Sequence, residues 1–164
     1  MEFYVKPCAA ESSLFAVYGA AGELLYQITG ENSALSGKLY LIDSGGRETA
    51  KIRRLGTSEI SRYSIFVQGK EQAGVLQNFI GAKPVYRLYG VPWSFRGDVL
   101  SRSFDVIDVD GGVLMTHGRC WKGRGDCFAV TVTREADVPV CLSIAVVIDS
   151  LALNGGAVAQ PVSN

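Results

Sequence analysis

The residues best suited to chemistry in this 164-residue chain are basic side chains near its middle. Lys51 and Arg53 are separated by one residue, so in an alternating strand they share one face while their apolar neighbours share the other. Arg54 follows directly, and Arg62 lies just beyond the next turn. Several cations could therefore meet one anion, such as a phosphate group. The simpler interpretation is that these side chains face solvent and protect a strand edge.

A second basic group, Arg119, Lys122 and Arg124, surrounds Trp121. Basic and aromatic side chains together can bind nucleic acid through phosphate contacts and base stacking. This is a single patch on a predicted hairpin turn, and the pI is about 6.6, so nucleic-acid binding is not expected. Sixteen basic and sixteen acidic side chains balance, so any anion site must come from a local patch.

Metal and enzyme chemistry depend on His117, the only histidine, with Cys120 and Cys127. These residues supply three ligands and lack the close cysteine pair of zinc sites, so no metal or other cofactor is expected. A nucleophilic pair of His117 with one of the cysteines stays open, because such partners meet in space and not in sequence. The motifs of hydrolases, zinc proteases and nucleotide-binding loops are missing, which favours a protein that is not an enzyme.

The element that must organise the chain is the stretch 138–153, which is apolar almost all the way round. Asp137 is the predicted N-cap, and 154–156 (Asn-Gly-Gly) is the predicted stop of this helix. A helix without a polar face must be enclosed by protein or by lipid. This run is shorter than the roughly 20 residues of a membrane span, and it carries Asp149. We therefore predict a helix inside the protein and no transmembrane span.

Asp149 needs a partner, because a buried carboxylate must be ion-paired, hydrogen-bonded or neutral. It lies one turn from the predicted helix end, so it could reach backbone amides at the edge of the fold or an arginine such as Arg96. We interpret Asp149 as a structural lock that sets the depth of the helix rather than as a catalytic acid.

The pattern of residues 2 to 134 predicts about twelve short strands separated by glycine-rich turns, with no helix among them. Parallel βαβ architecture is therefore not expected. An internal repeat relates 39–43 to 104–108 and 63–67 to 128–132 at an offset of 65, and 26–31 to 93–98 after a shift of two residues. Twelve strands form a barrel too wide for side chains alone to fill. The sequence predicts a mostly β fold, a closed antiparallel barrel of two pseudo-repeated halves around a central helix at about 138–153.

The domain organisation and compartment follow from simpler features. We predict a single domain over 1–154 and a flexible tail over 155–164. The N-terminus has no signal-peptide character, and Cys8, Cys120, Cys127 and Cys141 are scattered. We therefore expect reduced thiols and a cytoplasmic location.

An ordered set of residues resembles a known family. The set begins with Trp93-x-Phe95-x-Gly97-Asp98 and Phe104-x-Val106-x-Asp108, continues through Trp121 and Asp126-x-Phe128-x-Val130-x-Val132, and ends with Asp137 and Leu142-x-Ile144-Ala-Val-Val147-x-Asp149. It is similar to the LURP-one-related family of the Tubby C-terminal-domain-like superfamily, which also includes phospholipid scramblases. The resemblance implies a twelve-stranded barrel around a hydrophobic helix. We assign structural roles to Trp93, Asp137 and Asp149.

The resemblance also bears on function. The pattern Ala50-Lys-Ile-Arg53 followed by Ser61-Arg-Tyr-Ser-Ile-Phe66 is similar to the Tubby segment whose Lys-x-Arg contacts phosphoinositide headgroups. The first hypothesis is therefore a non-enzymatic cytosolic barrel that binds an acidic ligand, such as a phosphoinositide or phospholipid headgroup, through its basic cluster. A protein-interaction or scaffolding domain is one alternative. A small-molecule binder or enzyme with a pocket at the barrel mouth is the other.

Overall fold

The computed structural model describes residues 1–8, 13–30, 37–56, 60–120 and 127–162, with side chains described as far as residue 152. Twelve strands are followed by a 3-10 turn and one helix, α1 (Val138–Val162). The strands of the first half are β1 (Glu2–Pro7), β2 (Ser13–Tyr18), β3 (Leu24–Gly30), β4 (Lys38–Asp43), β5 (Glu48–Gly56) and β6 (Ser61–Val67). Those of the second half are β7 (Lys70–Ile80), β8 (Lys83–Tyr89), β9 (Ser94–Asp98), β10 (Ser103–Ile107), β11 (Val113–Arg119) and β12 (Phe128–Val132).

The strands form one antiparallel sheet in the order β8-β7-β6-β5-β4-β3-β2-β1-β12-β11-β10-β9. Each strand pairs with the next strand in the sequence, except that β8 and β9 do not pair. The first and last strands, β1 and β12, also pair with each other. The two end strands of the sheet, β8 and β9, contact each other, so the barrel is nearly closed. The predicted mostly β barrel is confirmed.

Alternation along the strands separates the inner and outer faces of the barrel. Val5 on β1, Leu41 on β4, Ile65 on β6 and Val130 on β12 are buried, and they point inward with their i±2 neighbours. The intervening side chains face outward. The inward side chains pack around the helix, in which every residue from 140 to 150 is buried. The wide barrel and the apolar helix thus cover each other's apolar surface, as the sequence predicted.

The two ends of the helix differ in detail from the prediction. Asp137 lies in the 3-10 turn just before the helix, and its carboxylate accepts a hydrogen bond from Arg134 Nε at 2.7 Å. At the other end the helix does not stop at 154–156 but continues to Val162, through most of the predicted tail. A glycine destabilises a helix by roughly 1 kcal/mol relative to alanine. The two glycines therefore weaken this turn of the helix but do not have to end the helix.

The internal repeat is visible in two equivalent hairpin turns. The Oδ1 atom of Asp43 accepts hydrogen bonds from the amides of Gly45 and Arg47, both at 2.9 Å. The Oδ1 atom of Asp108 does the same for the amides two and four residues later, at 2.9 and 2.8 Å. Each aspartate also follows a register shift in its strand pair, after Leu41 in β4 and after Val106 in β10. The same turn thus recurs at the predicted offset of 65.

Two further expectations concern the barrel wall and the membrane. Trp93 is partly buried and packs against the core, consistent with a structural role. Among the described residues, no helix is long and apolar enough to span a membrane.

Candidate functional site

The outer surface of β4 to β8 carries five basic side chains, which we call the basic face: Lys38, Lys51, Arg53, Arg62 and Arg87. The register of the sheet brings them together. Lys38 lies directly opposite Arg53, and Lys51 is two residues from Arg53 on the same strand. Arg62 and Arg87 lie on either side of Leu76 in one cross-strand row. Directly opposed side chains in such ladders have Cβ atoms roughly 5 Å apart.

Aromatic rings hold two of these cations on the outer face. The Lys51 ammonium lies 5.2 Å from the ring centroid of Phe66, which is its cross-strand partner. The Arg62 guanidinium lies 4.8 Å from the ring centroid of Tyr89. Cation–π contacts of this kind restrict long side chains without neutralising their charge. The two cations therefore remain available for a further anion.

Tyr89 is itself held in place by two small neighbours. The hydroxyls of Tyr89 and Ser64 share a hydrogen bond of 2.7 Å. The ring lies over Gly74, where a Cβ atom would overlap the ring atoms. The absence of a side chain at Gly74 thus allows Tyr89 to lie flat on the sheet and to support Arg62.

Few acidic side chains lie near the cations of the basic face. Within the described part of the chain, none of its five cations has a carboxylate oxygen within 4.0 Å. Glu71 lies two strands away from Lys51, on the far side of Phe66. Uncompensated cations on adjacent strands create a local positive potential although the chain as a whole is neutral.

Arg54 does not join its predicted partners. It follows Arg53 directly, so it points to the inner side of the barrel wall, where it lies opposite Tyr63. Its Nη2 atom donates a hydrogen bond of 3.4 Å to Ser61 Oγ. The predicted cluster is therefore divided: Lys51, Arg53 and Arg62 share the outer face, and Arg54 lies at the inner rim.

The second predicted basic patch can be followed only in part. The Arg119 guanidinium lies 5.5 Å from the ring centroid of Phe128, at the inner rim of the barrel. Trp121, Lys122 and Arg124 lie outside the described residues.

Asp149 lies at the centre of a buried polar cluster. Its side chain is fully buried, and its Oδ1 atom accepts from Arg102 Nε at 3.0 Å and Arg102 Nη2 at 2.9 Å. The same oxygen lies 2.9 Å from His117 Nε2. The partner is thus Arg102 and not Arg96, which instead pairs with Asp105 at 2.7 Å. These contacts could not be predicted from the sequence, because Arg102 and His117 lie 47 and 32 residues before Asp149.

His117 is fixed on every side. Its Nδ1 atom lies 2.7 Å from the carbonyl oxygen of Arg102, and its ring stacks between Phe104 and Phe128 at centroid distances of 4.7 and 5.0 Å. Arg102 adopts a positive φ of 65° and packs its guanidinium 3.6 Å from the Phe128 centroid. The cluster joins the helix to the barrel, and its His117 and Asp149 side chains are sealed from solvent while that of Arg102 is 13% exposed.

The structure separates His117 from the cysteines. His117 faces the interior, whereas Cys120 and Cys127 line an outer groove of about 420 Å³ with Tyr4, Lys6 and Tyr18. Burial, with a hydrogen bond that the Cys127 thiol donates to Cys120, raises the pKa of Cys127 to about 11. A raised pKa opposes nucleophilic chemistry, since the thiolate is the reactive form. In the described ranges, no group of three or more potential ligands is placed to hold a metal ion.

Comparison with known proteins places this architecture among relatives. The family model described as LURP-one-related matches residues 1–149. The uncharacterized protein YxjI of Bacillus subtilis (strain 168) is 27% identical over 140 residues, which cover 85% of this chain and 86% of that protein. The X-ray structure of an Arabidopsis thaliana protein superposes with a TM-score of 0.62 at 21% identity, covering 92% of this chain and 90% of the other. The last similarity concerns the fold alone.

Proposed function

We propose that this chain, which belongs to the LURP-one-related family, binds a ligand bearing an anionic phosphate group on the basic face of its barrel. The observation that carries the proposal is the set of five outward cations on neighbouring strands without a carboxylate partner among the described residues. A phosphate group supplies several strong acceptor oxygens within the reach of two or three such side chains.

The roles within the basic face differ. Arg53 lies between Lys38 and Ser64 in the cross-strand row, so its planar guanidinium can offer two parallel donors to a phosphate. Lys51, resting on Phe66, supplies a point charge beside it. Arg62, whose guanidinium lies over the Tyr89 ring, supplies the third donor group in a restricted orientation. Restriction of these side chains before binding lowers the entropy cost of ordering them around the ligand.

The test is a calorimetric titration with myo-inositol 1,4,5-trisphosphate, a water-soluble probe that carries phosphate groups without a lipid chain. Each charge-assisted contact contributes about 1.5 kcal/mol, which corresponds to about a tenfold change in affinity. We expect Lys51→Gln and Arg53→Gln each to weaken binding about tenfold. Binding should also weaken as salt is added, because exposed charges are screened.

Lys70→Gln provides the matched control, because Lys70 is exposed at the start of β7 and pairs with Val67, outside the rows that contain Arg53 and Arg62. It removes one positive charge outside the basic face, and its affinity should match that of the wild type. Equal losses in the control and in the Arg53 variant would show general charge attraction and would contradict a site. A wild type that fails to bind the probe would contradict the proposal itself.

A further inference from the structure

Two cysteines lie directly opposite each other at the point where β11 and β12 leave their ladder. The last pair of that ladder is Arg119 with Phe128, and the next position on each strand is a cysteine, Cys120 and Cys127. The Cys120 amide donates a hydrogen bond of 2.7 Å to the Cys127 carbonyl oxygen. Opposed residues that are hydrogen-bonded in this way have Cα atoms about 5.5 Å apart.

The two thiols lie on the same face of the sheet and contact each other. Phe128 is buried inside the barrel, so alternation directs its neighbour Cys127 outward, and a directly opposed residue points to the same face. Both cysteines line the outer groove of about 420 Å³. The Cys127 thiol donates a hydrogen bond to Cys120. The sulfur atoms are therefore neighbours before any bond joins them.

This spacing suits a disulfide bond, in which the Cα atoms are about 4.4–6.8 Å apart. The other two cysteines are less well placed. The β1–β12 ladder, continued by one residue, places Lys6 opposite Cys127 and Cys8 diagonally from it, and diagonal neighbours are about 7–8 Å apart. Cys141 is fully buried on α1, on the inner side of the barrel wall. The register thus favours one pairing among the four thiols.

The environments of the paired thiols differ. Cys120 is partly exposed, whereas Cys127 is 1% exposed. Burial, with the hydrogen bond that it donates to Cys120, raises the pKa of Cys127 to about 11, so Cys127 keeps its proton at neutral pH. Cys120 is therefore the thiol that meets an oxidant in solution. A partly exposed cysteine beside a second thiol is the usual arrangement of a redox-sensitive pair.

We propose that Cys120 and Cys127 form a peroxide-sensitive dithiol site that closes reversibly to a disulfide joining β11 to β12. This site lies on other strands than the basic face, and it does not depend on phosphate binding. Disulfides in a reducing compartment are mostly transient and redox-sensing, so such a site is compatible with thiols that are reduced at rest.

The chemistry takes two steps. The Cys120 sulfur attacks one oxygen of hydrogen peroxide, the O–O bond breaks, and Cys120 sulfenic acid and water form. The Cys127 sulfur then attacks the Cys120 sulfur, the S–O bond breaks, and the leaving oxygen departs as water with the Cys127 proton. Two thiols lose two electrons in total, and one peroxide is reduced to two waters. Contact between the sulfurs offsets the small thiolate fraction of Cys127, because reaction between adjacent groups has a high effective concentration.

The test is peptide mapping of the reduced full chain after treatment with hydrogen peroxide and alkylation of the remaining thiols. Trypsin cleaves after Arg119, Lys122 and Arg124, so the predicted disulfide appears as peptide 120–122 linked to peptide 125–134. We expect this linked pair to be the main oxidised product. A dithiol reductant should convert it back to the two separate peptides.

Three variants assign the roles. Cys8→Ser is the matched control, and it should form the linked pair within twofold of the wild-type rate. Cys127→Ser should stop at the sulfenic acid of Cys120, which dimedone traps. Cys120→Ser should oxidise at Cys127 at least tenfold more slowly than the wild type does. Circular dichroism checks that each variant folds, and alanine replaces serine at any position where it does not.

The contrary results are equally specific. A main product that links Cys8 or Cys141, or that joins two chains, would overturn the pairing. Thiols that stay reduced in a folded chain under excess peroxide would overturn the site itself. Equal oxidation rates of Cys127 in the wild type and in Cys120→Ser would overturn the order of the two steps.

Discussion

Loss of the Asp149 carboxylate tests the attachment of the helix to the barrel. Asp149 is fully buried, and Arg102, its ion-pair partner, is 13% exposed. Removing one partner of a buried ion pair leaves the other charge uncompensated, at a cost of about 3–5 kcal/mol. We therefore expect Asp149→Leu and Arg102→Met each to lower the free energy of unfolding by about that amount.

The double variant distinguishes the ion pair from general packing. If each single loss comes mostly from the orphaned partner, Asp149→Leu/Arg102→Met should be less destabilised than the sum of the two single variants. We expect a coupling energy of about 2 kcal/mol or more, measured by urea unfolding of all four proteins. The contact of His117 with Asp149 is lost in both variants that lack Asp149, so this loss cancels in the cycle.

A matched surface cycle gives the reference value. Arg96 and Asp105 form an ion pair of the same kind at 2.7 Å, but their side chains are 52% and 30% exposed. Exposed pairs contribute about 1 kcal/mol or less. A coupling energy for Asp149–Arg102 no larger than that for Arg96–Asp105 would refute the view that this pair locks the helix. An Asp149→Leu variant as stable as the wild type would refute it too.

Three further predictions concern other parts of the fold. Burial raises the pKa of the Cys141 thiol to about 12, so the contribution of the buried thiol to stability is present below pH ~9 and is lost as the pH rises toward 12. The difference in the free energy of unfolding between the wild type and Cys141→Val, measured by urea unfolding, should shift against the wild type by about 1.4 kcal/mol per pH unit over that window. A difference independent of pH would contradict this. Gly74→Ala should displace the Tyr89 ring and weaken inositol trisphosphate binding by calorimetry, whereas unchanged affinity would mean that Tyr89 does not support the site. Asp43→Ala and Asp108→Ala should each destabilise the fold by about 1–3 kcal/mol because each leaves two turn amides without their carboxylate acceptor, and very unequal losses in thermal unfolding would argue against equivalent turns.

The fold could be predicted because its signals are local and redundant. Alternation defined the strands, and a helix that is apolar all round required an enclosure of the size that twelve strands provide. The repeat was readable because equivalent turns need the same aspartate at the same spacing. The helix end was not predicted correctly, since propensity is a weak guide where glycines are tolerated.

The site was harder to predict because it depends on register. Lys51 and Arg53 follow from alternation, but Lys38 and Arg87 join them only through pairing across the sheet. Alternation also separates Arg54 from Arg53, although their adjacency in sequence suggested a single cluster. The Asp149 partners could not be read from the sequence, because the strand pairing that brings His117 and Arg102 to the helix is not a local property.

The central claim is that the basic face binds a phosphate-bearing ligand, and an NMR titration with myo-inositol 1,4,5-trisphosphate tests it most directly. Backbone amide and side-chain signals of Lys51, Arg53 and Arg62 should shift progressively and saturate together, while those of Asp108 and Asp110 in the β10–β11 turn stay in place. Signals that do not move, or saturable shifts confined to the groove lined by Cys120 and Cys127, would contradict the claim.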